Sequence, residues 1–411
     1  GMNPVMERNR MTANLPSWKS AAVERGLVPF KLCISQDAID DLVHRIERTR
    51  WPDEPPDQTA EGHWRYGTPA HWLRSLHSYW LTSFDWRRQE LQLNEFEQWI
   101  ARLDAVNLHF IYAPGQCAAS KPLLLLHGWP GSVFEFFELI PKLTAAIPAS
   151  VGQTLKSFDV IAPSLPGFGL SFRKGQPRLG LEEMADLLHH LIRDVLGYSE
   201  YFVQGGDWGS FIASAMAYRH PEAVKGIHLN LLPLRRDSML FQEPIDAEAK
   251  RYATELDDFL RENTGYQWIQ GTRPQTLAYA LNDSPMGLAA WIGEKFAAWS
   301  DCNGKPESVI PFERMLANIC FYWFTEAIGS SFWPYYARLH APWFLPRGET
   351  ISVPMAYCQF PKEILRPPRS LASRTYRQII RWHEAENGGH FAALEQCEVL
   401  AREIRMSFDL I

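Results

Sequence analysis

The sequence predicts an α/β fold: a mostly parallel β-sheet with helices on both faces, a helical insertion that reads as a lid, and a helical N-terminal extension. Three observations carry this. From about residue 106, short apolar runs alternate with amphipathic segments, the pattern of strands and helices in a sheet covered on both sides. That alternation stops between about 233 and 348 and then returns. Ahead of it, residues 1–105 are helix-like and rich in tryptophan and charge. The expected divisions are 1–105, 106–232, 233–348 and 349–411.

In the first division Ile39, Leu42, Val43 and Ile46 recur at helical spacing. Trp51-Pro52-Asp53-Glu54-Pro55-Pro56 breaks that pattern, because proline cannot continue a helix. A second helix is expected over 68–81, with Trp72, Leu76, Tyr79 and Trp80 on one face. In the second division the expected strands are 108–112, 123–126, 158–162, 201–204 and 227–231, with amphipathic helices such as 181–196 between them. The third division carries helical runs, many aromatics and scattered prolines. In the fourth, strands are expected at 353–360 and 376–382. Chemistry in such a sheet sits at the carboxyl ends of its strands.

Composition narrows the function. Of 411 residues, 46% are hydrophobic and 21% charged, the balance of a soluble globular protein. A net charge of −6 offers no basic footprint for nucleic acid. Residues 2–28 are polar and mixed, without the apolar core of a secretory signal, and no run approaches the ~20 apolar residues of a membrane helix. A soluble, cytoplasmic protein without membrane association is expected. The six cysteines are scattered and include no C-x-x-C pair, so they read as free thiols rather than a metal site.

The most informative stretch is Gly205-Gly206-Asp207-Trp208-Gly209, between an apolar run and the helix-like segment 208–219. Its form is small-x-nucleophile-x-small: a tight turn from strand to helix that lifts the central side chain above the sheet. The central residue is Asp207 rather than serine. A carboxylate attacks ester and amide carbonyls poorly, but it can displace a leaving group at saturated carbon and form an alkyl ester. Water then attacks the Asp207 carbonyl. The implied substrate is an alkylating electrophile, an epoxide or an alkyl halide. An aspartate at such a turn can also merely cap the following helix, so its partners decide.

Those partners are present. His127-Gly128-Trp129-Pro130-Gly131 follows the strand at 123–126. The backbone N–H groups of Trp129 and Trp208 are the expected oxyanion donors, each worth about 3 kcal/mol. Gly388-Gly389-His390-Phe391 places His390 in a glycine-flanked loop near the C-terminus, where it would act as general base on water. Glu363 is the only carboxylate in Phe360-Pro361-Lys362-Glu363-Ile364, just past the strand at 353–360, and would orient His390. Other histidines, including His44, His71, His77, His189, His190 and His383, read as packed or solvated.

Together these residues resemble the microsomal-type epoxide hydrolase family of the α/β-hydrolase superfamily, which includes fungal soluble enzymes and insect juvenile hormone epoxide hydrolases. Further matching stretches are Phe84-Asp85-Trp86-Arg87, Leu93-Asn94-Glu95-Phe96, Pro163-Ser164-Leu165-Pro166-Gly167-Phe168-Gly169, Ser284-Pro285, Trp291-Ile292 and Glu294-Lys295. The resemblance implies an α/β-hydrolase fold and hydrolysis of an apolar epoxide to a vicinal diol through an ester on Asp207. It also implies two lid tyrosines that donate to the epoxide oxygen. Tyr266 matches the first through Gly265-Tyr266. The second falls in Trp333-Pro334-Tyr335-Tyr336, with Tyr335 preferred by register and Tyr336 in reserve. A phenol, with a pKa near 10, can donate to a developing alkoxide.

No cofactor and no metal are implied. The expected partner is a small-molecule epoxide, and a homodimer is compatible with the sequence. Two features depart from the family. The membrane anchor of mammalian members is not seen, and the glycine expected before the strand at 108 is not evident around Asp104-Ala105. Two rival readings are a haloalkane dehalogenase, with the Trp208 indole cradling halide, and a non-catalytic binding protein on the same fold.

Overall fold

Nine strands form one sheet: β1 (Leu27–Phe30), β2 (Glu97–Leu103), β3 (Val106–Ala113), β4 (Lys121–Leu126), β5 (Phe158–Pro163), β6 (Tyr201–Gly205), β7 (Val224–Leu229), β8 (Met355–Gln359) and β9 (Ile379–Glu384). Their order across the sheet is β1-β2-β3-β5-β4-β6-β7-β8-β9. The first three junctions are antiparallel, and every junction from β5 to β9 is parallel. The computed structural model describes residues 16–57, 64–103, 105–148, 155–234, 245–343 and 345–411. Residues 1–15 of the polar N-terminal stretch, and Asp104, lie outside them.

The central strands are buried on both faces, which is why they read as unbroken apolar runs. Leu123, Leu124, Leu125 and Leu126 of β4 are almost fully covered, as are Val160, Ile161 and Ala162 of β5. Helices α1 (Gln36–Glu47), α2 (Ala70–Thr82), α3 (Trp86–Asn94), α4 (Leu181–His190) and α5 (Trp208–Arg219) lie outside the sheet. The first bears out the helical spacing only in part: Leu42 and Ile46 are buried, but Val43 is exposed. The second buries Trp72, Leu76 and Trp80 as expected.

The structure corrects the helical reading of residues 1–105 in one respect. That region supplies β1 and β2, which extend the core sheet by strand pairing rather than merely packing around it. The strand signal in β2 is masked by Gln98, a buried polar residue. It is satisfied through contacts with His109 Nε2 at 2.8 Å and Asn94 Oδ1 at 3.0 Å. The last strand also starts later than 376. Tyr376 caps a short helix, and its hydroxyl bonds the Ser214 hydroxyl at 2.7 Å.

Between β7 and β8 the described residues form helices and loops, with α6 (Ala247–Glu262), α7 (Gly265–Thr272), α8 (Pro274–Asp283), α9 (Pro285–Trp299), α10 (Phe312–Thr325) and α11 (Trp333–His340). These helices form a cap over the carboxyl ends of β4, β6 and β8. Helix α12 (Cys397–Phe408) closes the chain against β7, β8 and β9. No described helix is long and apolar enough to cross a membrane.

Candidate active site

The site begins with main-chain sterics. Asp207 sits between β6 and α5 with φ 51° and ψ −132°, a conformation a non-glycine residue holds only under constraint. A Cβ at Gly205 would meet Gly209 O at 2.3 Å, and one at Gly209 would meet Leu126 O at 2.6 Å. The glycines are therefore required by backbone contacts that cannot yield. Gly128 is equally constrained: a Cβ there would lie 2.2 Å from the Asp207 side chain. The loop after β4 and the turn after β6 thus touch at these residues, about eighty positions apart in sequence.

The Asp207 carboxylate is held at both oxygens. Trp129 N–H donates to Oδ1 at 2.7 Å, and His390 Nε2 lies 3.0 Å from Oδ2. Trp208 is the first residue of α5, so its N–H has no acceptor within the helix. His390 Nδ1 lies 2.6 Å from Glu363 Oε1. The loops bearing these two residues are fastened together, with Lys362 N–H donating to Gly388 O at 3.0 Å. Gly388 has φ 113°, and a Cβ at Gly389 would meet Trp299 O at 2.5 Å. The same carbonyl accepts His390 N–H at 2.8 Å, tying the histidine loop to the end of α9.

Two carboxylates flank the His390 ring. Burial opposes charge on its ring, but Glu363 and then Asp207 outweigh it and raise its pKa well above the ordinary value. With Asp207 ionised, His390 is an imidazolium clamped between two carboxylates. It can serve as a base only after one of those charges is removed.

The lid brings in two phenols. Tyr266 of α7 stacks on the Trp129 indole, with centroids 5.6 Å apart and planes 10° apart. Tyr335 of α11 meets Trp129, Trp208 and Tyr266 edge-on at 5.7, 4.9 and 5.6 Å. Burial above all, with Tyr266 and Asp207 nearby, raises the Tyr335 pKa well above the phenol range, so it carries its proton. Tyr336 points elsewhere: it stacks on Trp333 and His340. Consecutive residues on a helix face about 100° apart, and of Tyr335 and Tyr336 it is Tyr335 that lines the cavity at Asp207.

Two cavities, each of about 30 Å³, meet at Asp207. One lies under the lid, against Trp208, Phe211, Tyr266, Tyr335 and Leu365. The other lies on the far side, where Glu135, Gln204, Asn230 and His390 share the lining with Phe136, Phe391 and Leu400, and it is large enough for water.

Sequence reasoning missed several residues around this centre. Glu135 Oε1 occupies the place a Cβ on residue 131 would take. Burial raises the Glu135 carboxyl pKa to about 8, against the opposing pull of His390. Helix α10 clamps the Trp129 loop. Asn318 Nδ2 donates to Pro130 O at 2.7 Å, Tyr322 donates to Gly131 O at 2.7 Å, and Ser132 donates to Asn318 Oδ1 at 2.7 Å. These residues carry no local motif; only their burial after folding reveals them.

Comparison with known proteins agrees with this geometry. Residues 27–136 match the family model described as epoxide hydrolase N terminus, and residues 121–267 match the α/β hydrolase fold. The chain is 40% identical to a Stigmatella aurantiaca protein that carries a provisional epoxide hydrolase name, over 93% of this chain and 85% of that one. It is 35% identical to rabbit (Oryctolagus cuniculus) epoxide hydrolase 1, over 93% and 88%. Its fold is similar to that of juvenile hormone epoxide hydrolase from the silkworm Bombyx mori. The TM-score is 0.81 at 31% identity, covering 93% of this chain and 94% of that one.

Proposed function

The chain belongs to the epoxide hydrolase family, and on that footing we propose that it hydrolyses an apolar epoxide to a vicinal diol through a covalent ester on Asp207. One observation carries the reading. A carboxylate stands at the strand–helix turn, with Oδ1 at 2.7 Å from Trp129 N and Oδ2 at 3.0 Å from His390 Nε2. The oxygen held by Trp129 becomes the ester carbonyl, already seated where oxyanion charge develops.

The epoxide enters under the lid. Asp207 forms a bond to one ring carbon, the ring C–O bond breaks, and Tyr266 or Tyr335 gives its proton to the departing oxygen. Ester formation removes the charge on Asp207. His390 then loses one of the two anions that raise its pKa, and its proton returns to the tyrosinate. The neutral imidazole takes a proton from water on the Glu135 side. The resulting hydroxide attacks the Asp207 carbonyl, and the Trp129 and Trp208 N–H groups stabilise the tetrahedral oxyanion. Collapse expels the diol oxygen, which takes the proton of the newly formed acid. One water is consumed, and every group regains its starting protonation.

The test uses His390→Gln, which removes the base but not the nucleophile. Incubated with styrene oxide, this variant should accumulate the substrate mass on the peptide that contains Asp207, read by mass spectrometry. Wild-type turnover to diol, with no such adduct in the variant, would contradict the covalent route.

A further inference from the structure

The lid buries a cation that the reaction above does not use. Lys295, only 8% exposed, lies on α9 between Trp291 and Trp299, one helical turn from each. Its ammonium stands 4.5 Å from the centroid of the Tyr266 ring and 5.7 Å from those of Trp291 and Trp299. It is paired with Glu294, whose side chain is 32% exposed. An ammonium in a box of three rings, with its anion toward the solvent side, is a costly arrangement to bury. The ring it approaches most closely belongs to one of the two phenols facing Asp207.

We propose that Lys295 is a positioning residue that makes Tyr266 a stronger proton donor toward the opening epoxide. The inference rests on the epoxide-opening reading. A cation within about 6 Å of an aromatic face is attracted to its π-electrons, and the attraction grows when the phenol becomes a phenolate. Gln267 adds to this, since its Nε2 donates to the Tyr266 oxygen at 2.8 Å, a bond that also favours the anion. Other titratable or charged groups around Tyr266 include Tyr335, Arg338 and Asp207, which line the same cavity, and His390, which contacts the shared Trp299 ring. Asp207 opposes phenolate formation until the ester forms. Lys295 acts throughout, so the two tyrosines are unequal: Tyr266 gives up the proton, while Tyr335 is held protonated and donates a hydrogen bond.

The test reads Tyr266 directly, as the difference in ultraviolet phenolate absorbance between each protein and its Tyr266→Phe counterpart across pH. In Lys295→Met the Tyr266 titration should move up by about one pH unit, and the ring-opening burst should slow about three- to tenfold. Lys295→Arg should restore both. Glu294→Gln, at a part-exposed site, should move the titration the opposite way, because it leaves the ammonium uncompensated; lost packing would not produce that sign. A Tyr266 titration that stays put in Lys295→Met and Glu294→Gln would overturn the proposal. Wild-type protein that forms no diol would sink the reaction itself, while the titration would still decide the role of Lys295.

Discussion

The elbow and the lid place reactive groups by different physical means. At the elbow, position is set by backbone meeting backbone: Gly205 against Gly209, and Gly209 against Leu126, at distances no side chain tolerates. In the lid, Tyr266 and Tyr335 are set by rings meeting rings around Trp129, contacts that can slide and repack. Damage to the elbow should therefore be all or none. Damage to the lid should be graded, and should fall on ring opening rather than on folding.

The contrast is broken most forcefully with alanine at two glycines. Gly209→Ala drives a methyl into Leu126 O and His127 O, and should cost about 3 kcal/mol in urea denaturation together with nearly all activity. Gly271→Ala in lid helix α7 approaches Tyr335 O at 3.3 Å and Leu339 Cδ2 at 3.5 Å, far looser than the contacts at Gly209, and gains helix propensity, so its stability should stay within about 1 kcal/mol of wild type. Similar losses at both positions would erase the distinction. Within the lid, Tyr266→Phe and Tyr335→Phe should each slow the pre-steady-state burst about 10- to 100-fold, while Tyr336→Phe stays within about twofold. A loss at Tyr336 equal to that at Tyr335 would mean the wrong face of α11 has been assigned.

The smallest effect concerns the core below the elbow. Burial lowers the pKa of His109 to about 3, His127 to about 4 and His228 to about 3. Their folded values lie below the unfolded value of about 6.5, so the unfolded chain binds protons first as the solution is acidified. Their stabilisation is full above about pH 6.5 and is lost as pH falls toward 4 and then 3. At pH 6 the loss should be under about 1 kcal/mol per histidine, seen as a falling urea midpoint. A midpoint that rises on acidification would contradict their burial as neutral rings.

The same contrast explains what could be read before folding. Elbow geometry demands particular residue types at fixed spacing, so Gly205-Gly206-Asp207-Trp208-Gly209 and His127-Gly128-Trp129 were legible in one dimension. So were the central strands, whose burial on both faces leaves unbroken apolar runs. Strand β2 was not, because Gln98 interrupts its pattern and finds its partners only across the sheet. Glu135, Asn318 and Tyr322 were invisible for a related reason: their importance lies in contacts with a loop distant in sequence. The choice between Tyr335 and Tyr336 turns on the register of α11, in which Tyr335 packs on Trp208 and Tyr336 on Trp333.

The most direct trial of the covalent route is a single turnover in heavy-oxygen water, with unlabelled enzyme in excess over an epoxide. Attack of water on the Asp207 ester predicts that solvent oxygen enters the Asp207 carboxylate and that the first diol carries none. Solvent oxygen in that first diol, with Asp207 unlabelled, would mean water opens the ring directly and no ester forms.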